Sequence, residues 1–98
     1  MGFAIKLSPQ ALTHLRAYRK GQQRRIVDAI KRQLRDQPLA QTRNGKPLRE
    51  NPLSRWELRV GEFRIFYDVN ASDQVVEVKA IGHKKHNRLF LSGKEFQL

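Results

Sequence analysis

Trp56-Glu57-Leu58-Arg59-Val60-Gly61-Glu62-Phe63-Arg64-Ile65-Phe66-Tyr67-Asp68-Val69 reads as two strands folded back on each other. Trp56, Leu58 and Val60 alternate with Arg55, Glu57 and Arg59, the two-residue period of a strand with one apolar face. Gly61-Glu62 supplies a tight turn. Beyond it Phe63, Ile65, Tyr67 and Val69 take one face, and Arg64, Phe66 and Asp68 the other. A connection that short makes the pair antiparallel. Asn70-Ala71-Ser72-Asp73 is a second turn by composition, and residues 75–82 form a third strand with Val76, Val78 and Ala80 on the core side. The result is an antiparallel meander.

Upstream of the meander, residues 3–7 alternate as a short strand. Ser8-Pro9 then marks a helix start, with serine as cap and proline at the first helical position, where a missing N–H costs nothing. Ala11, Leu12, Leu15 and Tyr18 recur at helical spacing, and Gly21 is read as the break. A second helix carries Ile26, Val27, Ile30 and Leu34 on one face and Arg24, Arg25, Lys31, Arg32 and Arg35 around the rest, closed by Pro38. Residues 38–54 read as a long loop containing Arg43 and Lys46. The pattern of residues 83–98 fixes neither helix nor strand. The fold expected is a single α+β domain over residues 1–98, ordered β-α-α-β-β-β, with a helical hairpin on one face of a mostly antiparallel four-stranded sheet.

Twenty Lys and Arg against nine Asp and Glu give a net charge of +11. Such an excess repels itself in the folded state, and its usual counterparts are nucleic acid, an anionic membrane or an acidic protein. No amphipathic segment offers aromatic anchors that the core does not need, which argues against the membrane. The chain has no cysteine, so disulfides and thiolate metal sites are excluded, in keeping with a reducing cytoplasm. Residues 1–7 are too short and polar for a leader peptide, and a cytoplasmic location is expected. No cofactor is implied. The spacing of His83 and His86 invites zinc, but without cysteines or nearby carboxylates no metal site is expected.

If the helices cover one sheet face, the other is lined by Arg59, Arg64, Phe66 and Lys79 and ends at His83-Lys84-Lys85-His86. Cations for phosphates and a ring for a base suit RNA. A solvated sheet face is the plain alternative. Tyr67 falls with the packing set, and His14 reads as surface.

The element order, the stretch quoted above and Val78-Lys79-Ala80-Ile81-Gly82-His83-Lys84-Lys85 resemble the RelE/ParE superfamily of bacterial type II toxins. The resemblance covers nearly the whole chain. It implies a toxin neutralised by a co-encoded antitoxin through an acidic or amphipathic segment. RelE-like members cut mRNA in the ribosomal A site, whereas ParE-like members poison DNA gyrase. By this resemblance Arg64 matches the arginine that binds the scissile phosphate, and Arg59 falls near a basic position on the preceding strand. Lys84 matches a proton-donating or phosphate-stabilising residue. Phe90 falls near a catalytic tyrosine, and phenylalanine can stack on a base but cannot donate a proton.

Metal-free RNA cleavage needs a base for the 2′-OH, an acid for the leaving 5′-oxygen and cations for the phosphorus oxygens. Arg64 and Arg59 suit the last role, and His83 and His86 offer imidazoles, the side chain that most naturally serves as acid or base at neutral pH. Lys84 and Lys85 serve if surrounding charge lowers their pKa. The catalytic set expected is therefore Arg59, Arg64, His83, Lys84 and His86. Phe66, Lys79, Lys85, Phe90, Arg43 and Lys46 join Arg59 and Arg64 in binding RNA. The activity expected is a RelE-like endoribonuclease acting on mRNA at the ribosome. The alternatives are a ParE-like gyrase inhibitor and an RNA-binding module without turnover.

Overall fold

The computed structural model describes residues 2–98; Met1, which opens the stretch read as too polar for a leader, lies outside them. In chain order the elements are β1 (Ala4–Leu7), α1 (Pro9–Arg16), α2 (Lys20–Leu34), β2 (Gly45–Pro47), β3 (Trp56–Val60), β4 (Phe63–Asn70), β5 (Val75–Lys85), β6 (Arg88–Leu91) and β7 (Lys94–Phe96). Strands β2 to β7 lie side by side in chain order, each antiparallel to the next, and β1 joins β5 in parallel. The α+β class and the two helices on a mostly antiparallel sheet are as expected. Among the described residues the sheet has seven strands instead of four, because β2 forms within the supposed loop and the tail forms β6 and β7.

Ser8 caps α1, its Oγ accepting the Ala11 N–H at 3.0 Å, and Pro9 follows as expected. Gly21 does not break the helices; it sits in the first turn of α2. The break lies at residues 17–19. There the N–H groups of Ala17 and Tyr18 bond three residues back, to His14 and Leu15, tightening the last turn of α1. Gln22 Oε1 then accepts the Arg19 N–H at 3.1 Å and opens α2.

Both helices lay their apolar stripes on one sheet face. Ala11, Leu15, Ile26, Ile30 and Leu34 bury against Leu58, Phe63, Ile65, Tyr67, Val76, Val78 and Ile81. Each fully buried large side chain contributes about 1.5–3 kcal/mol by removal from water. A β-bulge corrects the alternation read for β5. Pairing steps from Phe66↔Ala80 to Tyr67↔Val78, so Lys79 is the extra residue. Val76, Val78 and Ile81 therefore face the helices, and Ala80 turns to the other side.

Strands β1 and β6 pair with different stretches of β5, residues 75–78 and 83–85, and leave residues 79–82 between them. Helix α1 satisfies that gap. Ser8 Oγ donates to the Lys79 carbonyl at 3.1 Å, and the Ile81 N–H donates to His14 Nδ1 at 3.1 Å. His14 is thus a buried backbone acceptor, 5 % exposed, where the sequence read it as surface. Burial holds its pKa below the usual 6.5, keeping Nδ1 free to accept.

Candidate functional site

The face away from the helices, expected to be open, is covered. Phe66, Ala80, Leu89 and Leu91 form a second core, joined by Leu48, Leu53 and Phe96. Its cover is the C-terminal meander, turned at His86-Asn87 and Ser92-Gly93. All four of these residues have positive φ, as two-residue hairpin turns of matching twist require. Strand β6 crosses so close to Gly82 that a side chain there would meet the Phe90 carbonyl. The segment before β3 is pinned by Asn51, whose Oδ1 accepts the N–H groups of Leu53 and Ser54 at 2.8 and 3.1 Å.

Phe66 is therefore fully buried and offers no ring to a base, because the apolar cover gains more from it than exposure would. Arg64 is also turned inward, 8 % exposed. Its Nη1 donates to the carbonyls of Gly61 and Phe63 at 2.8 and 2.9 Å, clasping the β3–β4 turn. Its Nε lies 3.8 Å from Glu57 Oε1 on the neighbouring strand and makes no hydrogen bond. Burial, and after it the Arg59 charge, push the guanidinium below its ordinary range, while Glu57 acts in the opposite sense. The group remains a cation near neutrality, because an arginine starts from so high a pKa.

The other cations stay at the perimeter. Arg59 is exposed directly opposite Arg64, and Lys46 is exposed opposite Glu57. Lys84 shares the face of Gly82 and is exposed, as are Lys85 and, in the turn, His86. Lys79, at the bulge, pairs with Glu77 at 3.0 Å. Arg43 is exposed at an open cleft of about 440 Å³ that also reaches Arg32 and Tyr67. The structure thus brings Lys46, Arg59 and Lys84 to one rim around a closed centre. It leaves Arg43 and Lys79 apart from them.

His83 does not join that rim. It faces the helices, where the Tyr18 hydroxyl lies 2.7 Å from its Nδ1, and its ring stacks on Phe90 at 5.5 Å. Burial, with Glu62 nearby, pushes the Tyr18 phenol up to about 12, so it stays protonated. Tyr18 also meets Phe63 edge-on, and Arg25 lies over the same ring at 5.4 Å. Tyr18 and Arg25 were not among the residues singled out for the site. Nothing in the spacing of Tyr18 distinguishes a histidine partner 65 residues away from ordinary packing. Among the described residues no group of His and carboxylate side chains is placed to hold a metal, and no helix is long and apolar enough to cross a membrane.

The architecture is similar to that of chains in two solved complexes. It superposes on a chain of the toxin–antitoxin complex RelBE2 from Mycobacterium tuberculosis with a TM-score of 0.75 at 21 % identity, covering 86 % of this chain and 93 % of that one. It also superposes on a chain of the archaeal RelE–RelB complex from Pyrococcus horikoshii OT3 with a TM-score of 0.64 at 20 % identity, covering 88 % and 99 %. At such identities the likeness speaks for the fold. No curated protein sequence matches this chain closely. Residues 5–88 match the family model described as the ParE toxin of the type II toxin–antitoxin system parDE, and the chain belongs to that toxin family.

Proposed function

We propose that this protein is the toxin of a two-component module, silenced by a protein antitoxin, and that it poisons its target by contact instead of cutting RNA. One observation carries the second half: the Arg64 guanidinium is folded into the protein and spends two N–H bonds on its own turn. A cation that stabilises a scissile phosphate must stand where that charge develops. The same holds for His83, whose Nδ1 is engaged by Tyr18 on the helix side, away from Arg59 and Lys84. The exposed rim of Lys46, Arg59 and Lys84 suits docking to an acidic surface, and DNA gyrase is the target this family reading implies.

The test is to induce the chain in growing bacteria while assaying purified toxin against gyrase. Growth arrest with DNA damage, intact mRNA and blocked supercoiling is the expected result, weakened by Arg59→Ala and Lys84→Ala. New mRNA 5′ ends that depend on Lys84 overturn it and restore the ribonuclease. The cluster of exposed Lys84, Lys85 and His86 is the observation favouring that second reading. Tight RNA binding with neither effect identifies a module without turnover.

A further inference from the structure

The helical layer carries a charge pattern that the site on the sheet does not use. Residues 9–36 hold eight Lys and Arg against two Asp. Four of the cations, Lys20, Arg24, Lys31 and Arg35, recur at intervals of four, seven and four residues along α2 and its C-cap. At 3.6 residues per turn they fall within about 60° of arc, a straight stripe about 22 Å long. All four are exposed. None is in an ion pair: the pairs among the described residues are Arg64–Glu57, Lys79–Glu77 and Arg88–Glu95. Asp28 lies beside the stripe, four residues after Arg24 and three before Lys31, and among the described residues it forms no ion pair.

At its N-terminal end this arrangement works against the helix, whereas Lys31 and Arg35 suit the C-terminal end of its dipole. Lys20 and Arg24, and again Lys31 and Arg35, are like charges four residues apart, which repel. The first turn of α2 contains no acidic residue to balance the helix dipole. Within α2, Asp28 alone offers the stripe a nearby carboxylate, so four cations face one anion and most of the charge has no counterpart on the helix.

We propose that this stripe is a binding surface for the phosphate backbone of duplex DNA, read without regard to sequence. An acidic peptide is the competing occupant, and the surface argues against it. The apolar groove formed with Phe3, Ile5, Leu7, Val27 and Ile30 borders Lys31 and Arg35 only. Lys20 and Arg24 lie about 10–16 Å further along the axis. Among the described residues the exposed large apolar side chains are Leu12, Leu39 and Leu98, and none of them lies on α2. A protein partner needs apolar anchors at the centre of its contact, whereas a polyanion binds by releasing counterions. A rigid duplex can also follow the whole length, about six base-pair steps, and so neutralise both pairs together.

The experiment is fluorescence anisotropy of the purified toxin with a labelled 30-base-pair duplex of mixed sequence, titrated between 50 and 200 mM KCl. Four phosphate contacts contribute a slope of about −3.6 in log K against log salt. Lys20→Gln, Arg24→Gln, Lys31→Gln and Arg35→Gln combined are expected to weaken binding at least tenfold at 50 mM and to flatten the slope by about that amount. The melting temperature should change little, since the repulsion removed is offset by the lost interaction of Lys31 and Arg35 with the C-terminal end of the helix dipole. A charge-matched control, Lys6→Gln, Arg49→Gln, Arg55→Gln and Lys94→Gln combined, should lose much less. An equal loss in the control, an unchanged slope, equal competition by poly-glutamate, or tighter binding to single-stranded RNA each overturns the proposal. Gyrase inhibition is a separate readout, so either proposal can fail while the other stands.

Discussion

Arg64→Ala is expected to damage the fold before it affects any target. The substitution removes two charge-assisted hydrogen bonds that close the β3–β4 turn, each worth about 1.5–3 kcal/mol. It also leaves Glu57, 6 % exposed, as a buried carboxylate without its neighbour. Removing one partner of a buried pair costs about 3–5 kcal/mol, and these contributions overlap instead of adding. Against a total stability of about 5–15 kcal/mol, a loss of 3–5 is severe. In a domain of this size it lowers the melting temperature by at least about 12 °C. The check is urea and thermal unfolding of the wild type, Arg64→Ala and the double variant Arg64→Met with Glu57→Gln. The double variant has no orphaned charge and a side chain long enough to fill the space, so it should recover about 2 kcal/mol. If Arg64→Ala unfolds within about 0.5 kcal/mol of the wild type, the guanidinium is not a structural clasp. Its availability to a phosphate must then be reconsidered. Loss of toxicity in Arg64→Ala alone is accordingly no evidence of catalysis.

Other outcomes follow from the same geometry. His14 has its pKa lowered by burial, so between its folded value and 6.5 the unfolded chain binds a proton that the folded chain refuses. Its contribution to stability is full above pH 6.5 and declines as pH falls below it. His14→Asn, which keeps an oxygen near the Ile81 N–H, should flatten the difference in melting temperature between pH 7 and 5. Gly82→Ala places a methyl into the Phe90 carbonyl and within 2.6 Å of Leu91 Cδ2, so β6 must lift. Stability should fall by about 1–3 kcal/mol, and hydrogen exchange should accelerate in β6 and β7 more than in β3 and β4.

The sequence made the scaffold legible wherever a local period was unbroken. The β3–β4 hairpin, the cap at Ser8 and the apolar stripes of both helices follow from spacing that one element carries by itself. What escaped depends on relations between elements. The bulge at Lys79 breaks the alternation of β5 without a local signal, and it moves Ala80 to the far face. His14 looks like any polar helix residue until β5 presents an unpaired N–H beside it. The two turns of the tail were readable in principle, since Asn87 and Gly93 readily take positive φ. Without them Leu89 and Leu91 had no assigned face, and so the cover over Phe66 could not be foreseen.

That cover decides where the charge of this toxin can act. A cation under it must find carbonyls or a carboxylate, and Arg64 does so through its Nη1 on Gly61 and Phe63, while its Nε faces Glu57 at 3.8 Å without a hydrogen bond. Cations that remain free must lie beyond it, as Lys46, Arg59 and Lys84 do on the sheet side. The stripe on α2 stands on the opposite side of the same sheet, with the main core between them. Two exposed basic surfaces separated by a packed core do not compete for one ligand. Exposed charges separated by more than about 10 Å are also largely screened from one another at ordinary salt. Neutralising the stripe should therefore leave target contact through the rim intact, and neutralising the rim should leave duplex binding intact. Under the two proposals, then, the nucleic acid and the protein target bind opposite sides of one molecule and should bind together in a single complex, detectable as a ternary species by gel filtration.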